Sequence, residues 1–289
     1  TRAVENVREA ARRGVKDGRE IYVGLDIGPT GKLLKPMGDL AFEDAYEAFA
    51  EVMEYGEKAG ADLIHIETMS DTYEVKAAVL AAKERTSLPI FATMIFDERG
   101  KLLTGGDVPS VVAMLEGLRV DALGINCGMG PEQMLPILED ILKYASVPII
   151  VKPNAGLPKQ RDGEVYYDVE PEQFAGYMAK IVEMGAHVIG GCCGTTPEYI
   201  NSLYKELNKK APVHPKSCSR TNKSKTKVTD NSFFAGKNPH EKLIAVELAP
   251  PLDSDDQKLM EAAHILEKSS VDVVTFPDSP SGRTRADSI

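Results

Sequence analysis

Two hydrophobic rhythms alternate along this chain. Short, almost wholly apolar runs are followed by longer stretches in which apolar residues recur every third or fourth position. The first rhythm belongs to strands covered on both faces, the second to amphipathic helices packed on them. The opening stretch, from Ala3 to about Lys16, reads as a helix with Val4, Val7, Ala11 and Val15 on one face. Residues 21–28 then read as a strand with a glycine-rich loop. Residues 41–60 read as a helix with Phe42, Ala45, Phe49, Val52, Met53 and Gly56 inward. A strand over 61–67 and a helix over 71–85 follow, with Asp71 as the expected N-cap. The unit recurs with strands at 88–96, 120–126, 147–153 and 187–191, and helices at 110–118, 131–144, 171–184 and 197–208. Consecutive β–α–β units mean a parallel sheet in an α/β fold. Both a (β/α)8 barrel and an open doubly wound sheet fit this pattern.

The rhythm stops after residue 208. Residues 209–240 carry Lys209, Lys210, Lys216, Arg220, Lys223, Lys225 and Lys227 among few apolar positions, which reads as a basic, solvated linker. A strand at 242–251, a helix at 254–269 and a strand at 271–276 then begin a new β–α–β unit. The expected organisation is therefore a domain over 1–208, a linker over 209–240 and a second partial domain over 241–289.

Composition narrows the function. The 289 residues are 43% hydrophobic and 27% charged, as in a soluble globular chain. Against 34 basic residues stand 44 acidic ones, a net charge of −10, which argues against a general nucleic-acid binder. No apolar run approaches the roughly 20 residues of a membrane helix, and the charged start is no signal peptide. Four sparse cysteines suit a reducing compartment. The expectation is a cytoplasmic protein without a nucleic-acid or membrane partner.

In parallel α/β folds the chemistry sits at the carboxyl ends of the strands. Those ends deliver Glu67-Thr68, Asn126-Cys127-Gly128, Asn154-Ala155-Gly156 and Gly190-Gly191-Cys192-Cys193-Gly194. Three of the four cysteines thus share one rim, and Cys218 falls in the linker. Three thiolates match a zinc site that keeps its fourth position for water or substrate. Neighbouring strand residues point to opposite faces, so Cys192 and Cys193 can meet one ion only if the chain turns there. The flanking glycines permit that turn. The plain alternative is three small buried residues. His65, inside a strand, and His187, at a strand start, are not expected to join the site. Two rival readings remain: a zinc-stabilised barrel serving as a binding module, and a metal-free aldolase-type barrel with Lys152 as its Schiff-base lysine.

The segments GINCGMGPEQML (124–135), VKPNAGLP (151–158) and GGCCGTTPEYI (190–200) resemble the homocysteine S-methyltransferase family. IGPTGKLLKPMGDL (27–40) and LIHIETMSD (63–71) are similar to it as well. The resemblance covers about residues 1–208. It implies a (β/α)8 barrel whose Cys127, Cys192 and Cys193 hold zinc and whose substrate is homocysteine. In that setting Glu67 would pair with the substrate ammonium. Asn154 would offer an amide oxygen as a provisional fourth ligand, and Asn126 would hold its loop beside the substrate. The glycines of 28–31 would let backbone approach the pocket. The methyl donor is left open among methyltetrahydrofolate, directly or through cobalamin, and a methylsulfonium compound. The family's first two strands, which carry its Asp-Gly and Asn-Thr motifs, have no counterpart here, so an N-terminally truncated barrel is expected.

A second resemblance follows the linker. AVELAPPLDSDDQKLMEAA (245–263) and VDVVTFPDSPSGRTRADSI (271–289) are similar to the opening of the methylenetetrahydrofolate reductase family, a barrel that binds FAD. It implies Glu247 as an acid at a strand end. Together the two resemblances imply a bifunctional homocysteine S-methyltransferase/methylenetetrahydrofolate reductase.

Overall fold

The computed structural model describes residues 2–14, 20–161, 164–209, 244–248, 257–269 and 271–275. The basic linker, apart from Lys209, and Cys218 lie outside the described residues. The chain divides into two units, 1–221 and 222–289.

In the first unit, α1 (Arg2–Gly14) precedes β1 (Gly24–Ile27), α2 (Phe42–Lys58), β2 (Leu63–Met69), α3 (Thr72–Arg85) and β3 (Ile90–Met94). Then come α4 (Val108–Gly117), β4 (Ala122–Asn126), α5 (Pro131–Tyr144) and β5 (Ile149–Lys152). A hairpin, β6 (Lys159–Arg161) and β7 (Glu164–Tyr166), interrupts the alternation before α6 (Pro171–Met184), β8 (Val188–Ile189) and α7 (Pro197–Asn208). The strands are shorter than their apolar runs. Ile21 and Tyr22, expected in the first strand, are exposed. The helices keep the expected bounds within a few residues. Asp71 does cap α3, accepting from Tyr73 N at 2.6 Å and Glu74 N at 3.4 Å.

The six parallel strands lie in the order β1-β2-β3-β4-β5-β8. An open doubly wound sheet reverses its strand order at a switch point. This sheet never reverses, so it is the arc of a barrel. Strand alternation divides its two faces. Ile27, Ile64, Ile66, Ala92, Met94, Leu123, Ile125, Ile149 and Val151 pack into the helix-side core with Phe49, Met53, Leu115, Leu138 and Phe174. The intervening residues Asp26, His65, Glu67, Thr93, Asn126 and Lys152 face the other way. Two helix faces differ from expectation. Val52 of α2 is exposed and Ala50 is buried in its place. Val7 of α1 is also exposed, because α1 meets its neighbours through Val4, which packs with Val23 and Ala61, and through an Arg8–Asp62 ion pair of 2.9 Å.

Among the described residues the second unit shows one β–α–β: β9 (Ala245–Glu247), α8 (Gln257–Glu267) and β10 (Val273–Thr275). Its strands are parallel, with Glu247 opposite Thr275. This is the expected start of a unit; the described residues do not amount to a second barrel.

Close approach at Gly124 fixes the spacing of β4 and β5. A Cβ there would lie 1.8 Å from the Ile150 carbonyl oxygen. Gly124→Ala is expected to push these strands apart at a cost of about 1–3 kcal/mol. A urea midpoint equal to that of the parent chain would refute this.

Candidate metal centre

Both cysteine loops are fastened to the end of β5. After β4 the chain enters the left-handed region at Cys127 (φ 57°) and Gly128 (φ 70°). A non-glycine residue there costs roughly 1–2 kcal/mol, so the turn must be held. Cys127 N donates to Lys152 O at 3.0 Å, and Met129 N to Cys127 O at 2.7 Å. After β8, Cys192 N donates to Pro153 O at 2.8 Å and Cys193 N to Asn154 Oδ1 at 3.1 Å. Ala155 N returns a bond to Cys193 O at 2.9 Å, and Thr195 Oγ1 donates to Cys192 O at 2.7 Å. The chain turns here as the flanking glycines allow, and both adjacent cysteines reach one point.

The Cys127 and Cys193 sulfurs are 3.7 Å apart, and those of Cys192 and Cys193 4.0 Å. All three lie within 4.8 Å of one another. Sulfurs at about 2.3 Å from a tetrahedral zinc sit roughly 3.8 Å apart, so the spacing fits that ion. Interaction with the Cys192 thiol is the largest influence on Cys127 and lowers its pKa to about 5, against the opposing effect of burial. Interaction with Cys127, followed by burial, pushes Cys192 up. Tyr167 also lies beside the cluster; burial first, then the Cys193 charge, raises its pKa.

Asn126 joins this rim to β2. It is fully buried. Its Oδ1 accepts from Thr68 N and Thr93 Oγ1, both at 2.8 Å, and its Nδ2 donates to Thr68 Oγ1 at 2.8 Å. The Cys192 sulfur lies 3.9 Å from the same Nδ2. Thr68 is itself left-handed (φ 67°), and the β2–β3 register shifts between Ile66 and Met69. Glu67 and Thr68 thus stand opposite the single Thr93, a bulge that re-aims Glu67. Lys152 Nζ donates to Glu67 Oε2. His65 stays out of the cysteine cluster, as expected, but its Nε2 lies 3.8 Å from Glu67 Oε2. Burial, and then the Lys152 charge, lower the His65 pKa to about 4, so the ring is neutral near pH 7. Burial, followed by the Glu67 charge, raises Asp26.

The remaining expected residues are placed as follows. Asn154 is buried, with its amide oxygen already accepting from Cys193 N. The 28–31 loop is tied down by Thr30, whose N and Oγ1 donate to the buried Glu74 at 2.7 and 2.6 Å. His187 accepts from Ile149 N at 3.3 Å, at the amino end of β5. Glu247 is exposed in the second unit. Sequence reasoning gave Thr68 no role, missed Thr93 and Tyr167, and weighed Lys152 only as a Schiff base. Counting by twos from Glu67 places His65 on its face, whereas Thr93 and Lys152 join that face through register, Thr93 opposite Gly124 and Lys152 opposite Asn126. Tyr167 carries no such signal, because the unexpected β6–β7 hairpin delivers it.

The opposite shifts of the two thiols predict selective alkylation of the reduced, metal-free chain. Cys127 should react with iodoacetamide down to pH about 5 and fall silent below it as the thiolate is protonated, while Cys192 stays unlabelled. Cys192→Ala removes that neighbouring thiol and should move the Cys127 profile upward. Peptide mapping by mass spectrometry reads both, and equal labelling of Cys127 and Cys192 at pH 6 would contradict the arrangement.

Comparison with known proteins bears on this geometry. Homocysteine methyltransferase MmuM from Escherichia coli, in its apo form, is 26% identical, with a TM-score of 0.59 over 71% of each chain. Its metallated form gives a TM-score of 0.56 over 70% of this chain and 66% of that one. The methionine synthases of Mycobacterium leprae and Mycobacterium tuberculosis are each 31% identical over 216 residues. Those matches cover 69% of this chain but only 18% of either synthase. A family model described as homocysteine S-methyltransferase matches residues 1–207. With its barrel arc and three converging thiols, the chain belongs to the homocysteine S-methyltransferase family.

Proposed function

We propose that Cys127, Cys192 and Cys193 hold zinc and that this centre presents the sulfur of homocysteine for methylation to methionine. The observation that carries this reading is the spacing of the three sulfurs at the carboxyl rim of the sheet. Zinc, when bound, would lower the pKa of a fourth thiol and keep it as the nucleophilic thiolate. Three cysteine thiolates outweigh the charge of a divalent cation, so a fourth sulfur beside them stays electron-rich. That sulfur attacks the methyl carbon, and the donor leaves with the electron pair of the broken bond. Glu67 supplies a carboxylate for the substrate ammonium. Asn126, its amide occupied by Thr68 and Thr93, keeps Thr68 and Cys192 in place next to the substrate. Asn154 positions Cys193 through its amide oxygen and would be the amide that serves as a provisional fourth ligand. Methyltetrahydrofolate, directly or through cobalamin, and a methylsulfonium compound are the donors this chemistry accepts.

We read residues 1–208 as the methyltransferase part, 209–240 as a linker and 241–289 as the start of a reductase barrel that uses FAD. The parallel β9–α8–β10 unit, with Glu247 at a strand end, supports the last part. A parent polypeptide carrying both parts should copurify with flavin. A flavin-free parent removes the reductase reading and leaves the zinc reading untouched.

The zinc reading is tested on the full chain purified without chelator. It should hold one zinc per chain, and X-ray absorption should find three sulfurs, becoming four at about 2.3 Å when homocysteine is added. Cys192→Ala should lose both the metal and methyl transfer. Coordination unchanged by homocysteine would instead indicate a zinc-stabilised binding module. Retention of metal and activity by Cys192→Ala would overturn the assignment of the ligands.

A further inference from the structure

Lys152 is the one lysine or arginine in the six strands of the main sheet. It pairs with Glu67, although β5 and β2 are separated by β3 and β4. Three strand spacings would put them roughly 14 Å apart on a flat sheet. The two side chains therefore meet across a concave face. They are 21% and 17% exposed. An ion pair so far removed from water is a weak source of stability, because desolvation offsets much of the attraction. Its place on the face that leads to the cysteine rim points to a use in binding.

We infer that Lys152 and Glu67 form a two-charge clamp for the head of an α-amino acid, with the substrate carboxylate on Lys152 and its ammonium on Glu67. This rests on the reading of homocysteine as substrate and adds to it the group that recognises the carboxylate. Without substrate, the two side chains satisfy each other. With substrate, each exchanges its partner for a group of opposite sign. The four charges then alternate, and no uncompensated charge is buried. Both clamp residues are wired to the sulfur site. Lys152 O accepts from Cys127 N at 3.0 Å, and Thr68, next to Glu67, is tied through Asn126 to Cys192.

The test compares thiols that carry one charge or both, by calorimetric titration of the zinc-loaded chain. Homocysteine, its decarboxylated analogue and its deaminated analogue are titrated into the parent chain, Lys152→Met and Lys152→Arg. Lys152→Met should weaken homocysteine about tenfold or more, the scale of a lost charge-assisted hydrogen bond, and leave the decarboxylated thiol within about twofold. Lys152→Arg keeps a cation and should recover most of the homocysteine affinity, which separates a lost charge from a damaged fold. Equal loss for homocysteine and the decarboxylated thiol would overturn the clamp, since Lys152 would then act only on Glu67. Unchanged homocysteine binding in Lys152→Met would overturn it as well, while leaving the homocysteine reading intact. A parent chain that binds none of the three thiols would overturn both.

Discussion

Three side chains from two separate loops bring their sulfurs within 4.8 Å of one another, and neither loop could fix that distance alone. The segment Pro153-Asn154-Ala155 at the end of β5 sets it. This segment lies between the two cysteine loops and bonds to both. Lys152 O and Pro153 O each receive one cysteine amide. Asn154 uses its side chain for a third, and its own N donates to Met129 O at 3.0 Å. An amide suits this position better than a carboxylate. It accepts a backbone bond without adding a charge beside the clustered sulfurs. Asn126 follows the same logic one strand away. Both asparagines are buried with their oxygens used.

The same strands serve two chemistries because alternate residues face opposite ways. Branched apolar side chains on one face build the core under the helices. Asp26, His65, Glu67, Thr93, Asn126 and Lys152 occupy the other. A shift of one residue in β1, β2 or β5 would turn Asp26, Glu67 or Lys152 into the core that holds Met53, Leu138 and Phe174 and turn apolar side chains toward the site. Packing of the core thus also sets the register of the site. The bulge at Glu67 and Thr68 is the one departure in β2. It comes where the chain must hold a carboxylate and a hydroxyl in places a regular strand would not offer.

Much of this was legible from sequence, for reasons that are local. Helices over 131–144, 171–184 and 197–208 announce themselves by a proline at their first turn and a regular apolar stripe. Cys127, Cys192 and Cys193 stand out because their types are rare and their neighbours are glycines. What could not be read depends on distance in space. The Lys152–Glu67 pair links residues 85 positions apart, and nothing in either strand names the other. Tyr167 follows a hairpin built of exposed residues without an apolar pattern. Val52 and Val7 were misplaced because periodicity identifies an apolar side chain but not whether a neighbour waits for it.

Rigidity is distributed unevenly over the site, in keeping with the chemistry. Of the three non-glycine residues with positive φ among the described residues, Arg119 follows the end of α4, where such a conformation is ordinary. Thr68 and Cys127 follow strand residues, and each is locked by hydrogen bonds that converge on Asn126 and Lys152. A strained backbone persists only when its surroundings over-determine it. Here the over-determined part is the sulfur rim, whose geometry must not change if it is to hold one ion. The charged part has the opposite character. Glu67 and Lys152 are joined by a side-chain contact that other charges can replace, and His65 beside them stays neutral and keeps out of that exchange. A fixed metal-side geometry and an exchangeable head-group pair are what a site needs to hold a sulfur still while admitting and releasing the molecule that carries it.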